Sequence, residues 1–221
     1  KRKYCEHQER NSRSGSTDGK VFERAWIVGV KMSNIQSSNR DKNYYKTRFG
    51  YIPNDWKLVK LSEVIETLDA GVSVNSDDRP AGEGEYGVLK TSSVNNGKFI
   101  PSENKVIKEA DIERAKLNPA RGSIIISRMN TPELVGEIGY VEKDYKNLFL
   151  PDRLWQTTFR SEVSGKWLTN LLTLPFFKNQ IGIIATGTSN SMKNITKKDF
   201  LLLEIPFPPF PVQQKIASIL S

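Results

Sequence analysis

The chain uses cysteine and histidine sparingly. Its 221 residues include one cysteine, Cys5, and one histidine, His7. A lone cysteine cannot close an internal disulfide or build a cysteine metal cluster, and such sparing use is typical of a reducing cytoplasm. A single histidine also leaves histidine catalysis and histidine metal sites without partners. The sequence therefore predicts a cytoplasmic protein that has no metal site of its own.

Long apolar runs are also missing. No stretch reaches the roughly 18 consecutive apolar residues that a membrane-spanning helix needs, and the chain does not open on a signal peptide. Hydrophobic residues make up 37% and charged residues 26% of the chain, so a core can be buried. Because the first residue is not Met, we expect the chain to be a fragment of a longer protein.

The excess of positive charge is confined to one segment. The net charge is +8, but residues 1–48 hold 12 Lys and Arg against 5 Asp and Glu, whereas residues 49–221 hold 21 against 20. The first segment is polar and is predicted to be poorly ordered. It is either a basic arm that touches phosphates or a remnant of an upstream reading frame. The body, being nearly neutral, could bind nucleic acid only by gathering its cations on one side.

Catalytic constellations are missing as well. Adenine methyltransferases hold a flipped base with Asn/Asp-Pro-Pro-Tyr/Phe, but here Phe207 precedes residues 208–210 and has no hydrogen-bonding group. The Gly-rich cofactor loop that should accompany this motif is absent. Metal-dependent nucleases cluster carboxylates beside a lysine. Glu162 and Lys166, which would follow Asp152 in such a motif, are separated by three residues where a strand needs one. The sequence predicts no catalytic residues.

The C-terminal stretch is rich in proline and apolar residues. An apolar strand is predicted over residues 200–205. The prolines that follow lack an N–H and fix φ, so we expect them to lie outside sheets and helix interiors. Pro211 suits the first turn of a new helix. That helix would carry four apolar residues on one face: Val212, Ile216, Ile219 and Leu220.

The body alternates strand and helix signals. Three adjacent isoleucines in residues 122–128 predict a buried strand. Trp56 is expected in the core, and Ser62 is a predicted helix cap. Further strands are predicted over residues 86–89 and 154–160, and helices over residues 61–65, 109–117, 164–174 and 175–184, the last two divided at Pro175.

Taken in order, these motifs resemble a target recognition domain of the specificity subunit of type I restriction–modification enzymes. Ser123 stands where the family usually has Asp. The resemblance covers most of the chain and depends on three phrases: Gly50-Tyr51-Ile52-Pro53 followed by Trp56, residues 122–128 followed by Val135-Gly136-Glu137-Ile138-Gly139, and Ile205-Pro206-Phe207-Pro208-Pro209 followed by Ile216-Ala217 and Leu220.

The resemblance implies a fold and a set of partners. The fold is mixed α/β (α+β), with a twisted, mostly antiparallel sheet and packed helices, followed by the start of a long coiled-coil spacer helix. The implied domains are an N-terminal segment over residues 1–48, a recognition domain over 49–211 and the start of the spacer helix over 212–221. The implied partners are double-stranded DNA, methyltransferase subunits, a restriction subunit and, for a half-subunit, a second copy. S-adenosylmethionine and ATP would bind to the partner subunits, so this chain is expected to need no cofactor.

Polar loops and strand ends supply the candidate DNA contacts. Arg128 leaves a buried strand, so its guanidinium either reaches guanine or phosphate or pairs with Glu133 or Glu137. Asn and Ser after the strand at 86–89 are either turn formers or readers of base edges. The full predicted set is Arg79, Lys90, Ser92, Ser93, Asn95, Asn96, Arg128, Asn130, Thr188, Ser189, Asn190, Ser191 and Lys193.

Two other functions stay open at this point. The chain could be the specificity region of a fused type II restriction–methyltransferase enzyme, with catalysis encoded upstream of Lys1. It could also be a protein-interaction module that presents its prolines in polyproline II conformation.

Overall fold

The computed structural model describes residues 43–187 and 192–220. Contacts between residues group the described part into two compact units, residues 59–205 and residues 43–58 with 206–220. Residues 1–42 of the predicted N-terminal segment lie outside the described part. The predicted boundaries at residues 48 and 211 stay predictions.

Both units mix strands and helices. The helices are α1 (Leu61–Val64), α2 (Gly165–Leu172), α3 (Pro175–Ile184), α4 (Lys197–Leu201) and α5 (Phe210–Ile219), with 3₁₀ turns over Thr91–Ser93 and Glu109–Arg114. The strands are β1 (Tyr44–Thr47), β2 (Gly50–Pro53), β3 (Lys57–Lys60), β4 (Ile65–Ala70), β5 (Ser76–Asp77), β6 (Gly87–Leu89), β7 (Val94–Asn95), β8 (Gly97–Phe99), β9 (Asn104–Ile107), β10 (Ile124–Ser127), β11 (Met129–Asn130), β12 (Ile138–Tyr140), β13 (Leu148–Phe149), β14 (Leu154–Phe159), β15 (Lys193–Asn194) and β16 (Glu204–Phe207).

A six-stranded sheet forms the centre of the larger unit, in the order β4-β14-β10-β12-β8-β7. Its pairings are antiparallel except for β12 with β8, which run parallel. A four-stranded sheet follows the order β13-β6-β9-β5, and the pairs β1-β2, β11-β15 and β16-β3 complete the topology. The predicted mixed α/β class is confirmed, with the strands divided among several sheets.

The central strand β10 is buried on both faces. Ile124, Ile125 and Ile126 are at most 1% exposed, as expected for a strand whose run of apolar residues does not alternate. Ile125 packs in a cluster with Leu89, Val94, Val141, Leu150 and Leu154. Burying a side chain of this size stabilises the fold by about 1.5–3 kcal/mol, so the predicted isoleucine strand anchors the sheet.

Helices α2 and α3 divide at Pro175, as predicted. The Ser164 Oγ accepts a hydrogen bond from the Trp167 N–H at 3.3 Å and caps α2. Trp167 and Leu168 are at most 2% exposed. Pro175 occupies the first position of α3, where its missing N–H costs nothing.

The smaller unit contains a buried tryptophan. Trp56 is 4% exposed, its carbonyl accepts a hydrogen bond from the Tyr45 hydroxyl at 2.9 Å, and its N–H donates to the Pro53 carbonyl at 3.0 Å. The predicted core role of Trp56 is confirmed. Pro211 lies in the first turn of α5, as predicted. The continuation of α5 as a coiled-coil spacer stays a prediction.

Helix α5 buries two residues that do not belong to its predicted apolar face. Gln213 is fully buried and donates from Nε2 to the Pro208 carbonyl at 2.9 Å, and Ala217 is 5% exposed. Ile219 and Leu220, which belong to the predicted apolar face, are 48% and 44% exposed. The hydrogen bond of Gln213 turns the polar position inward, and Ala217 follows one turn later on the same side.

The predicted strand over residues 200–205 is wrong. Thr196 caps α4 by accepting from the Asp199 N–H at 3.1 Å, so Phe200 belongs to a helix, and the strand β16 begins only at Glu204. Pro206 lies inside β16, although we expected proline outside sheets. A strand paired on one side tolerates a residue without an N–H when that position faces away from the partner.

Two predicted helices also differ in detail. The helix predicted over residues 109–117 is a 3₁₀ segment, Glu109–Arg114. The Asp111 carboxylate binds the Asn75 N–H at 2.6 Å and Arg114 at 2.8 Å, which ties this segment to a neighbouring loop. At α1 the N-cap is Lys60 and not Ser62, because the Glu63 carboxylate accepts from the Lys60 N–H at 2.7 Å.

Candidate nucleic-acid interface

Three separate segments meet where β10 leaves the six-stranded sheet. The Arg128 N–H donates to the Arg153 carbonyl at 3.1 Å, and the Ile195 N–H donates to the Arg128 carbonyl at 2.9 Å. The strand β11 then pairs with β15, with Met129 opposite Asn194 and Asn130 opposite Lys193. Backbone hydrogen bonds therefore hold residues distant in sequence side by side. We call this group the Arg128 cluster: Arg128, Asn130, Asp152, Arg153, Lys193 and Asn194.

The guanidinium of Arg128 is held by two neighbours. Its Nε donates to the Asp152 carbonyl at 2.7 Å, and its Nη1 donates to the Asn194 Oδ1 at 3.0 Å. Nη2 lies 3.8 Å from the Asp152 carboxylate, and the side chain is 23% exposed. Nη2 makes no hydrogen bond within the described part of the chain. Arg128 is thus fixed in one orientation and keeps N–H donors for an external acceptor.

The alternative partners expected for Arg128 are wrong. Neither Glu133 nor Glu137 pairs with it among the described residues. Glu137 is buried and instead binds Lys178 Nζ and the Asn96 N–H, each at 2.5 Å. Asp152 is the acidic neighbour, because the antiparallel pairing of β10 with β14 places the residues preceding Leu154 beside the end of β10.

The two ends of the polar loop predicted after α3 pair with each other, and the second end lies beside Arg128. Thr186 and Asn194 exchange backbone hydrogen bonds of 2.9 and 2.8 Å, and Lys193 Nζ donates to the Gly187 carbonyl at 2.9 Å. Lys193 and Asn130 therefore lie beside Arg128. The predicted contacts Thr188, Ser189, Asn190 and Ser191 lie outside the described residues.

Asn130 has a structural role in this cluster. Its Nδ2 donates to the Ser127 Oγ at 3.2 Å, and its Oδ1 accepts from the Thr131 N–H at 2.9 Å. These contacts shape the turn that follows β11. The amide is partly exposed, so a base contact by Asn130 stays a prediction.

Asn95 and Asn96 reach the same end of the sheet from another hairpin. Asn96 and Gly97 have φ values of +47° and +85° between β7 and β8, the signature of a two-residue Asn-Gly hairpin turn. The turn-forming interpretation of Asn96 is confirmed. Because the Asn96 N–H binds the Glu137 carboxylate and the Glu137 carbonyl accepts from Ser127 N–H at 2.8 Å, this turn lies on the Arg128 side of the sheet.

Four predicted contacts lie elsewhere. Ser93 is fully buried, and Val94 pairs with Phe99 at the other end of the hairpin. Lys90 and Ser92 share one acidic partner: Lys90 Nζ is 3.8 Å from the Glu103 carboxylate, and Ser92 Oγ donates to it at 2.7 Å. Arg79 belongs to the loop beside the four-stranded sheet. The structure does not bring these residues to the Arg128 cluster, and their contact with DNA stays a prediction.

Arg79 is occupied by a carboxylate. Nη1 and Nη2 each bind one Glu85 oxygen at 2.6 Å, and Glu85 also accepts from the Gly82 N–H at 2.7 Å. The hydrogen bond from Arg79, followed by that from Gly82, lowers the pKa of Glu85 to about 2. In this conformation a phosphate would have to displace Glu85 to reach the fork of Arg79.

The depressed pKa of Glu85 predicts an acid-dependent contribution to stability. The folded value of about 2 lies below the unfolded value of about 4.3. The contribution is therefore complete above the unfolded value and is lost as the pH falls toward 2. We expect an NMR titration that follows the Glu85 carboxyl carbon to show the carboxyl group still ionised at pH 3.5. We expect Arg79→Gln to move the midpoint of the Glu85 titration to higher pH. A midpoint near 4.3 in the unmodified chain, or no shift in Arg79→Gln, would contradict the prediction.

The sequence-based prediction missed three members of the cluster as contacts: Asp152, Arg153 and Asn194. Arg153 is exposed and directly precedes the buried strand β14, as Arg128 directly follows β10. A charged residue at a strand end was a usable signal, but the pairing of β10 with β14 was needed to place the two arginines side by side.

Among the described residues, no group of acidic, His or Cys side chains is arranged to hold a metal ion. Within residues 43–187 and 192–220, no helix combines the length and the apolar character needed to cross a membrane.

Comparisons with known proteins identify relatives of this chain. The chain is 26% identical over 172 residues to the EcoEI specificity subunit of a type I restriction enzyme from Escherichia coli, an alignment covering 77% of this chain and 29% of that protein. It is 27% identical over 186 residues to the putative type I restriction enzyme MjaX specificity subunit from Methanocaldococcus jannaschii, covering 82% and 42%. The chain thus spans less than half the length of these relatives.

A solved structure and a family model also match this chain. The crystal structure of the HsdS subunit from Thermoanaerobacter tengcongensis has a TM-score of 0.53 over 96% of this chain and 46% of that chain, at 17% identity, which shows a shared fold. A family model described as the type I restriction modification DNA specificity domain matches residues 53–221. The resemblance predicted from the sequence is confirmed: the chain belongs to the family of type I restriction modification DNA specificity domains.

Proposed function

We propose that this chain reads a specific duplex DNA sequence as a target recognition domain of a type I specificity subunit. The Arg128 cluster carries the proposal. It gathers Arg128, Arg153 and Lys193 at one end of a sheet, together with the amides of Asn130 and Asn194. A nearly neutral body needs such a gathering of cations to bind DNA.

The chemistry of the cluster suits two kinds of contact. Arginine and lysine side chains neutralise phosphates and position a protein on the duplex, whereas a fixed arginine fork and side-chain amides read base edges in the major groove. Arg128 is already held by Asp152 and Asn194. Pre-organisation of this kind reduces the conformational entropy lost on binding.

In this proposal the chain has no catalytic role. Methyltransferase and restriction subunits would supply catalysis and would bind S-adenosylmethionine and ATP. A second recognition domain, from a longer subunit or from another copy, would read the other half of a split target. Family membership supports this division of labour, and so does the naming of the relatives as subunits.

The packing of the prolines disfavours the interaction-module alternative. Pro206 and Pro208 are buried and Pro208 accepts the hydrogen bond of Gln213, whereas Pro209 and Pro211 are exposed. A polyproline II ligand must present its prolines to an aromatic groove on the partner. Buried prolines that organise the start of α5 do not meet that requirement.

Selection from a pool of random duplexes tests the proposed function. We expect the 221-residue chain to enrich one sequence motif, and its affinity for that motif to fall steeply with salt, because binding at several phosphates releases counterions. Fluorescence anisotropy at two salt concentrations measures the slope, and a scrambled duplex of equal length is the control. Equal binding to the selected and scrambled duplexes, or affinity that is independent of salt, would refute sequence reading by this chain.

A further inference from the structure

A cavity of about 410 Å³ is lined by residues of β8, β12 and α2 and of the loops beside them. Tyr140 lies on its wall and pairs with Ile124 at the start of β10, whereas Arg128 follows the end of β10. Lys98 pairs with Tyr140 in the parallel register of β8 and β12, and α2 contributes Lys166, Thr169 and Asn170 to the wall. Its volume falls within the range of small-molecule sites, about 300–1,000 Å³. The polar and aromatic lining residues that could contact a ligand include Lys98, Phe99, Tyr140, Tyr145, Lys166 and Asn170.

The cavity wall is rich in hydrogen-bond donors that lack acceptors. Asn170 Nδ2 is buried and has no hydrogen-bond partner among residues 43–187 and 192–220. Within the described part of the chain, the ammonium groups of Lys98 and Lys166 and the hydroxyls of Tyr140 and Tyr145 also make no hydrogen bond or ion pair. A buried amide without an acceptor costs about 1–3 kcal/mol, so such groups call for an explanation. An acceptor-rich ligand would satisfy them together.

Charge and ring chemistry narrow the ligand class. Glu142 is the one carboxylate that lines the cavity, against the two lysines, so the wall favours an anion. Phe99 and Tyr145 pack edge to face at 5.3 Å, and the Lys143 ammonium lies 5.3 Å from the Tyr145 ring centre. Aromatic side chains beside lysines are the chemistry that binds a base together with its phosphate. The cavity also has far more room than a bare phosphate ion fills.

We infer that this cavity binds a phosphorylated ring compound of the nucleoside monophosphate class. Lys98 and Lys166 bind the phosphate, Asn170 and the tyrosine hydroxyls donate to its oxygens or to the ring, and Phe99 contacts the ring. The site is separate from the proposed DNA contacts of the Arg128 cluster, because Arg128, Arg153 and Lys193 do not line the cavity. Either a free nucleotide or the terminal nucleotide of a single strand carries this chemistry.

Calorimetric titration of the full chain tests the inference. The probes are the four ribonucleoside monophosphates, the matching nucleosides, inorganic phosphate and a 5′-phosphorylated trinucleotide. We expect at least one monophosphate to bind, and its nucleoside and phosphate alone to bind at least about tenfold more weakly. Equal binding of the trinucleotide would identify a strand end as the source, and preference for the monophosphate would identify a free nucleotide.

Matched variants locate the binding. We expect Lys98→Gln with Lys166→Gln to weaken monophosphate binding at least about tenfold, and the near-isosteric Asn170→Asp to weaken it by charge repulsion. Lys197→Gln with Lys198→Gln removes the same charge from α4 and is expected to change nothing. No monophosphate binding up to about 1 mM, equal loss in both double variants, or loss of duplex binding in the cavity variant without any nucleotide binding would overturn a separate nucleotide site.

Discussion

Arg128→Ala is expected to weaken binding of the selected duplex by roughly 5- to 150-fold, which corresponds to the 1–3 kcal/mol of one good base contact. The guanidinium keeps donors free on Nη2 while Asp152 and Asn194 hold Nε and Nη1. A side chain fixed in this way loses little entropy when it meets guanine or phosphate. The measurement is fluorescence anisotropy on selected and scrambled duplexes.

Two further variants separate recognition of the base sequence from non-specific electrostatic attraction to DNA. Arg128→Lys keeps the charge and loses the planar fork, so we expect it to retain affinity for the scrambled duplex and lose preference for the selected one. Asp152→Asn removes a negative charge beside Arg128 but keeps the backbone carbonyl that binds Nε. We expect tighter binding to both duplexes, because the repulsion of phosphates is reduced.

The outcome against this assignment is specific. If Arg128→Ala binds both duplexes as the unmodified chain does and unfolds at the same temperature, then Arg128 has only its structural contacts. If affinity falls together with the unfolding temperature, joint alanine replacement of the predicted contacts Ser189, Asn190 and Ser191 provides a second test of DNA reading.

Gly71→Ala is expected to destabilise the chain by about 3 kcal/mol or more, through forced overpacking of the core. A Cβ at position 71 would overlap the carbonyl carbon and oxygen of Leu150 and lie 2.8 Å from its Cβ. Leu150 cannot withdraw easily: its carbonyl accepts from the Val72 N–H at 3.1 Å, its N–H donates to Leu117 at 3.0 Å, and its side chain is fully buried.

Urea unfolding followed by circular dichroism measures this effect, and Gly182→Ala is the matched control. A Cβ at Gly182, which lies inside α3, meets no atom within 4 Å. Alanine there should therefore stabilise the helix by up to about 1 kcal/mol. A Gly71→Ala chain that unfolds within about 1 kcal/mol of the unmodified chain would show that Leu150 can move aside.

Local chemistry was readable from the sequence. Three consecutive isoleucines could only be buried, so β10 was predictable, and the fixed φ of Pro175 divided α2 from α3 where expected. The burial of Trp56 followed from its size and apolar character. Where a polar group found a specific partner, prediction failed: the cap at Thr196 placed Phe200 in a helix, and the Glu63 carboxylate moved the cap of α1 from Ser62 to Lys60.

Only the tertiary structure decided which polar residues share a surface. Arg128 finds its partners 24 and 66 residues further along the chain, at Asp152 and Asn194, because β14 and β15 return beside β10 and β11. Ser92 and Asn95 are close in sequence, yet Ser92 binds Glu103 while the turn after Asn95 faces Glu137. Side-chain type and spacing determine what a residue can do. Strand pairing determines where in the fold that residue lies. The backbone hydrogen bonds that join distant segments do not depend on side-chain identity, so the pairing could not be read from the sequence.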